Sequence, residues 1–203
     1  MIVIGITGPT GAGKTTALQQ LQALGGVIVD CDAVYHDLLR SSKALKRELV
    51  ARFGEVLDDG GEVDRKRLGA VVFRDPQALQ ALNDIVRIHI SRAVNDILCQ
   101  AKAQGKQLAA VDGITIIESG LASSCDTTVA VLAPVDDRVR RICQREGISE
   151  EYARARVAAQ KEDAFYRTNC DYVLMNDCAS REEFARRARD LFETIYAQVQ
   201  GGV

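Results

Sequence analysis

The order of apolar runs and helical stretches along the chain predicts an α/β fold: a five-stranded parallel sheet between helices, in three α/β/α layers. Short runs rich in β-branched residues alternate with segments that repeat apolar residues every three or four positions. This alternation favours parallel strands covered by helices on both faces. A Gly-rich stretch directly follows the first run, and a long segment of helical pattern follows the second.

The chain begins with a strand, a loop and a helix. The run MIVIGIT ends before a glycine, and the segment TTALQQLQALG behind the Gly-rich stretch repeats leucine every third position, as one face of a helix does. The second run, GVIVDCD, ends in two acidic residues. They lie at the edge where α/β sheets place their chemistry.

Helical pattern dominates from Ala33 to Gln104. The stretch LDDGGEV interrupts it, and its Asp and Gly content indicates a turn or a small hairpin. About seventy residues between two strands are far more than a simple crossover needs. We therefore expect a helical substrate subdomain over residues 33–104.

Three further runs, LAAVDGITII, TTVAVLAP and DYVLMND, predict the remaining strands. Two charged helical stretches joined at Gly147 lie between the latter two, and a last helix begins with a capping box of Ser180 and Glu183. We predict a single domain with a core (residues 1–32, 105–135 and 170–203), the helical subdomain, and a lid over residues 136–166.

Composition argues against several classes of protein. The chain has 203 residues, a net charge of −2, and six cysteines without a C-x-x-C spacing, so it offers neither a basic nucleic-acid surface nor a zinc or redox motif. No basic leader precedes the first strand, and no apolar run is long enough to span a bilayer. We expect a cytoplasmic protein without nucleic-acid or membrane partners, a monomer, with an oligomer left open.

The segment Gly8–Thr15 fits the pattern G-x-x-x-x-G-K-[ST], in which backbone N–H groups surround phosphate oxygens at a helix N-terminus. In this pattern Lys14 reaches the β- and γ-phosphates and the Thr15 hydroxyl binds Mg²⁺. The flanking strand and helix favour nucleotide binding over a fortuitous Gly-rich turn. We predict a P-loop NTPase fold that binds ATP and Mg²⁺. The expected nucleotide contacts are Gly11, Ala12, Gly13, Lys14, Thr15 and Thr16.

Carboxylates at the ends of two predicted strands are candidates for chemistry. Asp32 can accept the proton of an attacking hydroxyl group with Asp30 in support, and either acid can instead cap the helix that starts near Ala33. Asp112 ends the third apolar run, where it suits a ligand of Mg²⁺, direct or through water. A simple turn carboxylate explains Asp112 equally well.

The predicted lid is rich in arginine. We expect most of these side chains to form a solvated face, and one or two to stabilise the phosphoryl group during transfer, with Gly147 as the hinge. His89, in the long helical segment, suits packing or capping better than chemistry. The arginines are Arg138, Arg140, Arg141, Arg145, Arg154 and Arg156.

These motifs, in this order, resemble the dephospho-CoA kinase family across nearly the whole chain. IGITGPTGAGKTTA is similar to the phosphate loop of that family, VIVDCDAVYHDLL to its acidic motif, and RFGEVLDDGGEVDRKRLGAVVFRDP to its FG…DR…L…VF stretch. LNDIVRIHI, IIESGL, RRICQREGISEEYARARVAAQ and CDYVLMND resemble its later motifs, including the lid. The family usually has proline at the position of Ile90, and a proline-leucine-leucine-phenylalanine where ITII precedes Glu118.

The resemblance implies ATP-dependent phosphorylation of the ribose 3′-hydroxyl of dephospho-CoA, the final step of coenzyme A biosynthesis. It implies Asp32 as the base, Lys14 and Arg145 as further catalytic residues, and nucleotide contacts from Arg141 and Asn176. Two alternatives stay open: a P-loop kinase of a nucleoside monophosphate or sugar acid, and a nucleotide-dependent regulatory protein. The implied substrate contacts are Asp32, His89, Glu118, Arg156 and Gln160.

Overall fold

The chain divides into two compact units in a computed structural model that describes residues 1–201. The first unit comprises Met1–Val29 and the described residues from Ala101 onwards, and the second comprises Asp30–Gln100. Residues 202 and 203 of the predicted core lie outside the described residues. No helix within residues 1–201 is both long and apolar enough to cross a membrane.

The strands form one sheet in the order β2-β3-β1-β4-β5. β1 pairs in parallel with β3 and β4, and β4 pairs in parallel with β5. The predicted five-stranded parallel sheet is confirmed. The strands are β1 (Ile2–Thr7), β2 (Val27–Asp30), β3 (Leu108–Asp112), β4 (Thr127–Leu132) and β5 (Tyr172–Met175).

Helices follow the strands in the alternation that the sequence predicts. The second unit is mainly helical, and its predicted hairpin is confirmed as an antiparallel bridge between Leu57 and Val63. The helices are α1 (Lys14–Ala23), α2 (Cys31–Ser41), α3 (Lys43–Phe53), α4 (Arg65–Val72), α5 (Pro76–Ala103), α6 (Val135–Glu146), α7 (Glu150–Ala158), α8 (Asp163–Asn169) and α9 (Arg181–Gly201), and a short 3-10 helix covers Leu121–Ser124.

Both faces of the sheet are buried in the first unit. Along β4, Val129 and Val131 belong to the cluster that includes residues of α1 and α9, whereas Ala130 and Leu132 pack with Tyr166 of α8. Successive side chains of a strand point to opposite faces, so helices on both faces require a run that is apolar throughout. The four apolar residues of β4 from Val129 to Leu132 are fully buried for this reason.

The second unit has its own apolar core, formed by helices α2 to α5 and the bridge between α3 and α4. Leu45 and Leu49 of α3 are fully buried, and Leu68 and Val72 of α4 are almost so. These side chains recur at three- or four-residue spacing, which places them on one face of each helix. Its central buried residues are Leu39, Leu45, Leu49, Val56, Leu68, Val72 and Ala78.

The third strand is shorter than the sequence predicts. β3 ends at Asp112, and the segment from residue 114 to residue 120 forms turns, so the prediction that ITII continues the strand is wrong. The N–H of Gly113 donates to the carbonyl of Ile6 (3.2 Å), and the chain then closes turns such as Ser119 N to Thr115 O (2.9 Å). Ile116 is still buried, so an apolar residue suits this position although it does not belong to a strand.

Two predictions about helix ends are confirmed. Gly147 has φ 67° and follows α6, and its N–H donates to the carbonyl of Cys143; a left-handed residue after a helix is most easily glycine. At α9 the Ser180 hydroxyl oxygen accepts from the N–H of Glu183 (3.1 Å), and the Glu183 carboxylate accepts from the N–H of Ala179 (3.2 Å). The C-terminal end of α6 and the N-terminal end of α9 thus both have hydrogen-bond partners within a few residues along the chain.

Asp171, directly before β5, ties this edge strand to β4. Its Oδ2 accepts hydrogen bonds from the Thr127 hydroxyl (3.1 Å), the Thr128 N–H (2.8 Å) and the Thr128 hydroxyl (2.8 Å). The hydrogen bonds from Thr128 lower the pKa of Asp171 below its usual value. A carboxylate with a lowered pKa stabilises the fold above the pKa it has when unfolded, and this stabilisation is lost as the pH falls through the folded pKa.

We expect Asp171→Asn to lower the free energy of unfolding at pH 7 by about 1 kcal/mol, because a neutral acceptor replaces a charged one. The difference from the parent protein should be smaller at pH 3, because this pH lies below the pKa of an unfolded aspartate, where the stabilisation by the charged carboxylate begins to be lost. Urea unfolding at the two pH values measures both effects. Asp190→Asn, on the exposed surface of α9, is the control, and an equal loss of stability at both pH values would contradict this role of the charge.

Candidate active site

The phosphate loop connects β1 to α1 in the first unit. Gly13 is the N-cap of α1 with φ 109°, a conformation that favours glycine. A Cβ atom at Gly13 would lie 2.4 Å from Nδ2 of Asn176, so a side chain at this position would collide with a buried residue. The predicted order of strand, Gly-rich loop and helix is confirmed.

The side chains of two arginines of α6 and of Asn176 donate hydrogen bonds to the carbonyl groups of three successive loop residues, Thr10, Gly11 and Ala12. Across a trans peptide the C=O and the following N–H point in opposite directions. Carbonyls held by these side chains therefore turn the N–H groups of Gly11 and Gly13 away from the three side chains. Backbone N–H groups arranged in this way at a helix N-terminus bind anions. The hydrogen bonds run from Arg138 to Thr10 (3.1 Å), from Arg141 to Gly11 (3.2 Å) and from Asn176 to Ala12 (2.7 Å).

Lys14 and Thr15 begin α1, as the motif requires. The Lys14 Nζ donates to the carbonyl of Gly8 (3.1 Å), so the lysine side chain folds back over the loop. Thr15 is exposed in the first turn of the helix, and Thr16 beside it is half-buried. An ammonium group over the loop and a hydroxyl group in the first turn are the arrangement that binds nucleotide phosphates and their metal ion.

Thr15 and Asp112 suit a magnesium ion by the chemistry of their donor atoms. Asp112 ends β3 opposite Ile6 of β1 and is partly buried. Hydroxyl and carboxylate oxygens are hard ligands that Mg²⁺ prefers, and it usually takes only one or two of them from the protein, beside phosphates and water. Residues 1–201 contain no group of three or more His, Cys, Asp or Glu that could hold a metal ion.

Two predicted site arginines share one carboxylate. Arg145 donates from Nη2 to Oε1 of Glu146 (2.6 Å), and Arg156 binds Oε2 of the same side chain. These hydrogen bonds lower the pKa of Glu146. The Arg145 side chain is 59 % exposed and donates no hydrogen bond to the phosphate loop in the described part of the chain. The structure thus brings Arg145 and Arg156 together, and brings Arg141 to the loop.

The expected solvated face of the lid includes Arg140 and Arg154, and Arg138 does not belong to it. Arg140 and Arg154 form exposed ion pairs with acidic residues, whereas Arg138 is only 3 % exposed and donates to the carbonyl of Thr10. A signal for this difference exists in the sequence. Positions 138, 141 and 145 repeat at three and four residues, so they lie on one face of a helix, which excludes position 140.

Gln160, which follows α7, also contacts the loop. Its Oε1 accepts from the N–H of Thr10 (3.2 Å) and from Nη2 of Arg138 (2.6 Å), and its Nε2 donates to the Thr10 hydroxyl (2.8 Å). The sequence singled out Gln160 only through the family resemblance, as a substrate contact. Its contact with Thr10 joins positions 150 residues apart, which no local pattern encodes.

In the second unit, Asp30 and Asp32 differ in surroundings. Sequence analysis placed both acids at the end of the second strand, but β2 ends at Asp30 and α2 begins at Cys31. The Asp30 carboxylate accepts from the N–H groups of Asp32 (2.9 Å) and Ala33 (3.1 Å), so Asp30 is the N-cap of the helix. Asp32 is exposed in the first helical turn.

The remaining predicted contacts with substrate lie on different elements. His89 is buried in α5 (6 % exposed), with Nε2 3.3 Å from Oε1 of Glu48, which agrees with packing. The helix continues without a break through Ile90. Glu118 is exposed in the turns that follow β3. Their contacts with substrate stay predictions.

The sequence of the chain is similar to those of known proteins of one family. A family model described as dephospho-CoA kinase matches residues 2–182. The dephospho-CoA kinase of Corynebacterium diphtheriae is 33 % identical over 201 residues, which cover 98 % of this chain and 100 % of that protein. That of Thermobifida fusca is 32 % identical over 196 residues, with 96 % of each chain covered.

Solved structures agree with the sequence comparisons. The crystal structure of TT1252 from Thermus thermophilus has a TM-score of 0.76 at 31 % identity and covers 95 % of this chain and 96 % of that chain. The dephospho-CoA kinase from Campylobacter jejuni has a TM-score of 0.68 at 21 % identity, over 99 % and 98 % of the two chains, and shares the fold. With a family model that spans most of its length, the chain belongs to the dephospho-CoA kinase family.

Proposed function

We propose that this protein transfers the γ-phosphoryl group of ATP to the ribose 3′-hydroxyl of dephospho-CoA, which gives coenzyme A and ADP in the last step of coenzyme A biosynthesis. The phosphate loop carries the proposal, because Arg138, Arg141 and Asn176 hold its carbonyls in the geometry that suits a donor nucleotide. Membership of the dephospho-CoA kinase family supplies the acceptor.

On the donor side, the backbone N–H groups between Gly11 and Thr16 and the Nζ of Lys14 bind the β- and γ-phosphates. The Lys14 ammonium group exchanges its hydrogen bond to Gly8 for a phosphate oxygen. The resemblance implies nucleotide contacts for Arg141 and Asn176, and in this proposal they act on the nucleotide through the loop carbonyls that they hold.

Magnesium belongs to the donor side as well. When bound, Mg²⁺ would neutralise the negative charge that develops on the phosphate oxygens. Thr15 would hold the ion from the first turn of α1, and Asp112 would hold it from the end of β3, directly or through water. Both residues supply oxygen atoms only, which matches the preference of this ion.

On the acceptor side, Asp32 takes the proton of the 3′-hydroxyl group as its oxygen forms a bond to the γ-phosphorus, and ADP leaves with the electrons of the broken bond. Arg145 stabilises charge on the phosphoryl group during transfer, which requires it to exchange Glu146 for phosphate oxygens. His89, Glu118, Arg156 and Gln160 are the further acceptor contacts that the resemblance implies. A cytoplasmic monomer stays a prediction from the sequence.

An acceptor panel tests the proposed function. We expect ADP formation from ATP and Mg²⁺ to rise at least tenfold over the rate without acceptor when dephospho-CoA is added, and not to rise with AMP, gluconate or shikimate. An acceptor that lies in a water-excluding site should outcompete hydrolysis in this way. Equal rates with and without acceptor would indicate an ATPase or a regulatory protein, and preference for another acceptor would indicate a different small-molecule kinase.

A further inference from the structure

A partly buried cluster of three residues connects the phosphate loop to α6 and to the segment that follows α7. Thr10 lies in the loop, Arg138 lies in the first turn of α6, and Gln160 follows α7. The cluster is closed, since a hydrogen bond joins each pair of these three residues. We call these three residues the Thr10 clasp.

The hydrogen bonds of the clasp determine the orientation of the Gln160 amide. Its Oε1 accepts from Arg138 (2.6 Å) and from the Thr10 N–H (3.2 Å), both of which can only donate. A rotated amide would place its NH₂ group against these two donors. In the observed orientation Nε2 donates to the Thr10 hydroxyl oxygen (2.8 Å), so the amide uses both of its ends.

Thr10 is held at all three of its polar groups. Its N–H and hydroxyl group bond to Gln160, and its carbonyl accepts from Nε of Arg138 (3.1 Å). The peptide between Thr10 and Gly11 is thereby fixed, and with it the direction of the Gly11 N–H, which points away from Arg138. The backbone of α6 also lies close by, because a Cβ atom at Gly11 would come within 2.8 Å of the Arg138 carbonyl oxygen.

The clasp also places a buried cation beside the loop. Arg138 is 3 % exposed, and no carboxylate of the described chain lies within ion-pair distance (4.0 Å) of its guanidinium. Burial lowers the pKa of Arg138, which Asp163 partly opposes, and an arginine stays charged at neutral pH. A buried positive charge without a paired carboxylate favours an anion nearby.

We propose that Gln160 and Arg138 are positioning residues that hold Thr10, and thus the Gly11 N–H, for the phosphates of ATP. The inference rests on the nucleotide site of the proposed function. It assigns Gln160 to the donor side, although the resemblance implies a contact with the acceptor. The clasp thereby links α6 and the segment that follows α7 to the affinity for ATP.

Binding of ATP and of ADP without any acceptor tests the clasp. We expect Gln160→Leu to raise both dissociation constants about tenfold, because it removes three hydrogen bonds and leaves Nη2 of Arg138 and the Thr10 N–H without their acceptor. Thr10→Val should weaken binding several-fold, whereas Thr10→Ser, which keeps the hydroxyl group, should stay within twofold. The double variant Thr10→Val/Gln160→Leu should bind no worse than Gln160→Leu alone, since the residues act as a unit.

Gln144→Leu is the matched control, an exposed glutamine of α6, and should bind ATP as the parent does. The clasp is overturned if Gln160→Leu keeps its affinity for ATP and raises only the KM for dephospho-CoA, or if the effects of the Thr10 and Gln160 variants simply add. If Gln160→Leu does not fold, the affinities of Thr10→Val and Thr10→Ser for ATP test the clasp instead, and equal affinities would overturn it. A parent protein that binds ATP but does not phosphorylate dephospho-CoA would refute the proposed function and leave the clasp testable.

Discussion

Replacement of Arg145 by alanine should lower kcat by about 10³- to 10⁵-fold, the range known for arginines that stabilise the transition state of phosphoryl transfer. Charge in that transition state spreads over the equatorial oxygens, where a guanidinium group can bind two of them at once. Arg145 lies one helical turn beyond Arg141, whose guanidinium group reaches the loop carbonyl of Gly11, and positions four apart share a helix face.

The ion pair with Glu146 sharpens this expectation. Because Arg145 bonds to Glu146 and donates no hydrogen bond to the phosphate loop in the described chain, we expect the binding of ATP to depend little on Arg145 and the loss to fall on kcat. Arg145→Lys keeps the charge but not the planar fork, so it should recover only part of the rate. Steady-state kinetics with dephospho-CoA, together with the dissociation constant for ATP, separate the two effects.

Arg140→Ala is the control for this experiment, since Arg140 lies on the same helix in an exposed pair with Asp137. We expect its kcat to match that of the parent protein. If Arg145→Ala lost less than tenfold in kcat, the role would pass to another arginine of the lid. Arg156 is then the next candidate, because it binds the same Glu146 carboxylate.

Local patterns in the sequence predicted much of the fold and the donor site. The run MIVIGIT, the glycines behind it and the leucine repeat of the following helix gave the order of β1, loop and α1 without any distant information. Gly147 ends α6 for a similar reason, because a left-handed residue at a helix end restricts the choice at one position. Such features depend on neighbours within a few residues.

Contacts between distant positions escaped prediction. The burial of Arg138 depends on Thr10, 128 positions away, and only the spacing of arginines on α6 hinted at it. The early end of β3 depends on Gly113 and the turns behind it, because the apolar segment ITII suits a strand and a buried turn equally well. The helix expected to start near Ala33 begins two residues earlier, at Cys31, a difference that arises because the Asp30 cap and a strand end share one residue pattern.

The second large effect is expected for Asp32→Asn. Loss of a general base typically lowers the rate by about 10²- to 10⁴-fold, and asparagine keeps the size of aspartate but cannot take up the proton. We expect kcat to fall within that range while the dissociation constant for ATP stays unchanged. The fold should be preserved, because Asp32 is exposed and enters the helix cap through its N–H, which asparagine retains.

Two further variants make the assignment specific to Asp32. Asp37→Asn changes an exposed carboxylate of the same helix, paired with Arg40, and should leave kcat unchanged. Asp30→Asn keeps a good N-cap, since asparagine caps helices as well as aspartate does, so it should have little effect if Asp32 is the base. Near-normal turnover of Asp32→Asn together with a large loss in Asp30→Asn would move the base to Asp30, and the acidic motif would then act through the residue that also begins α2.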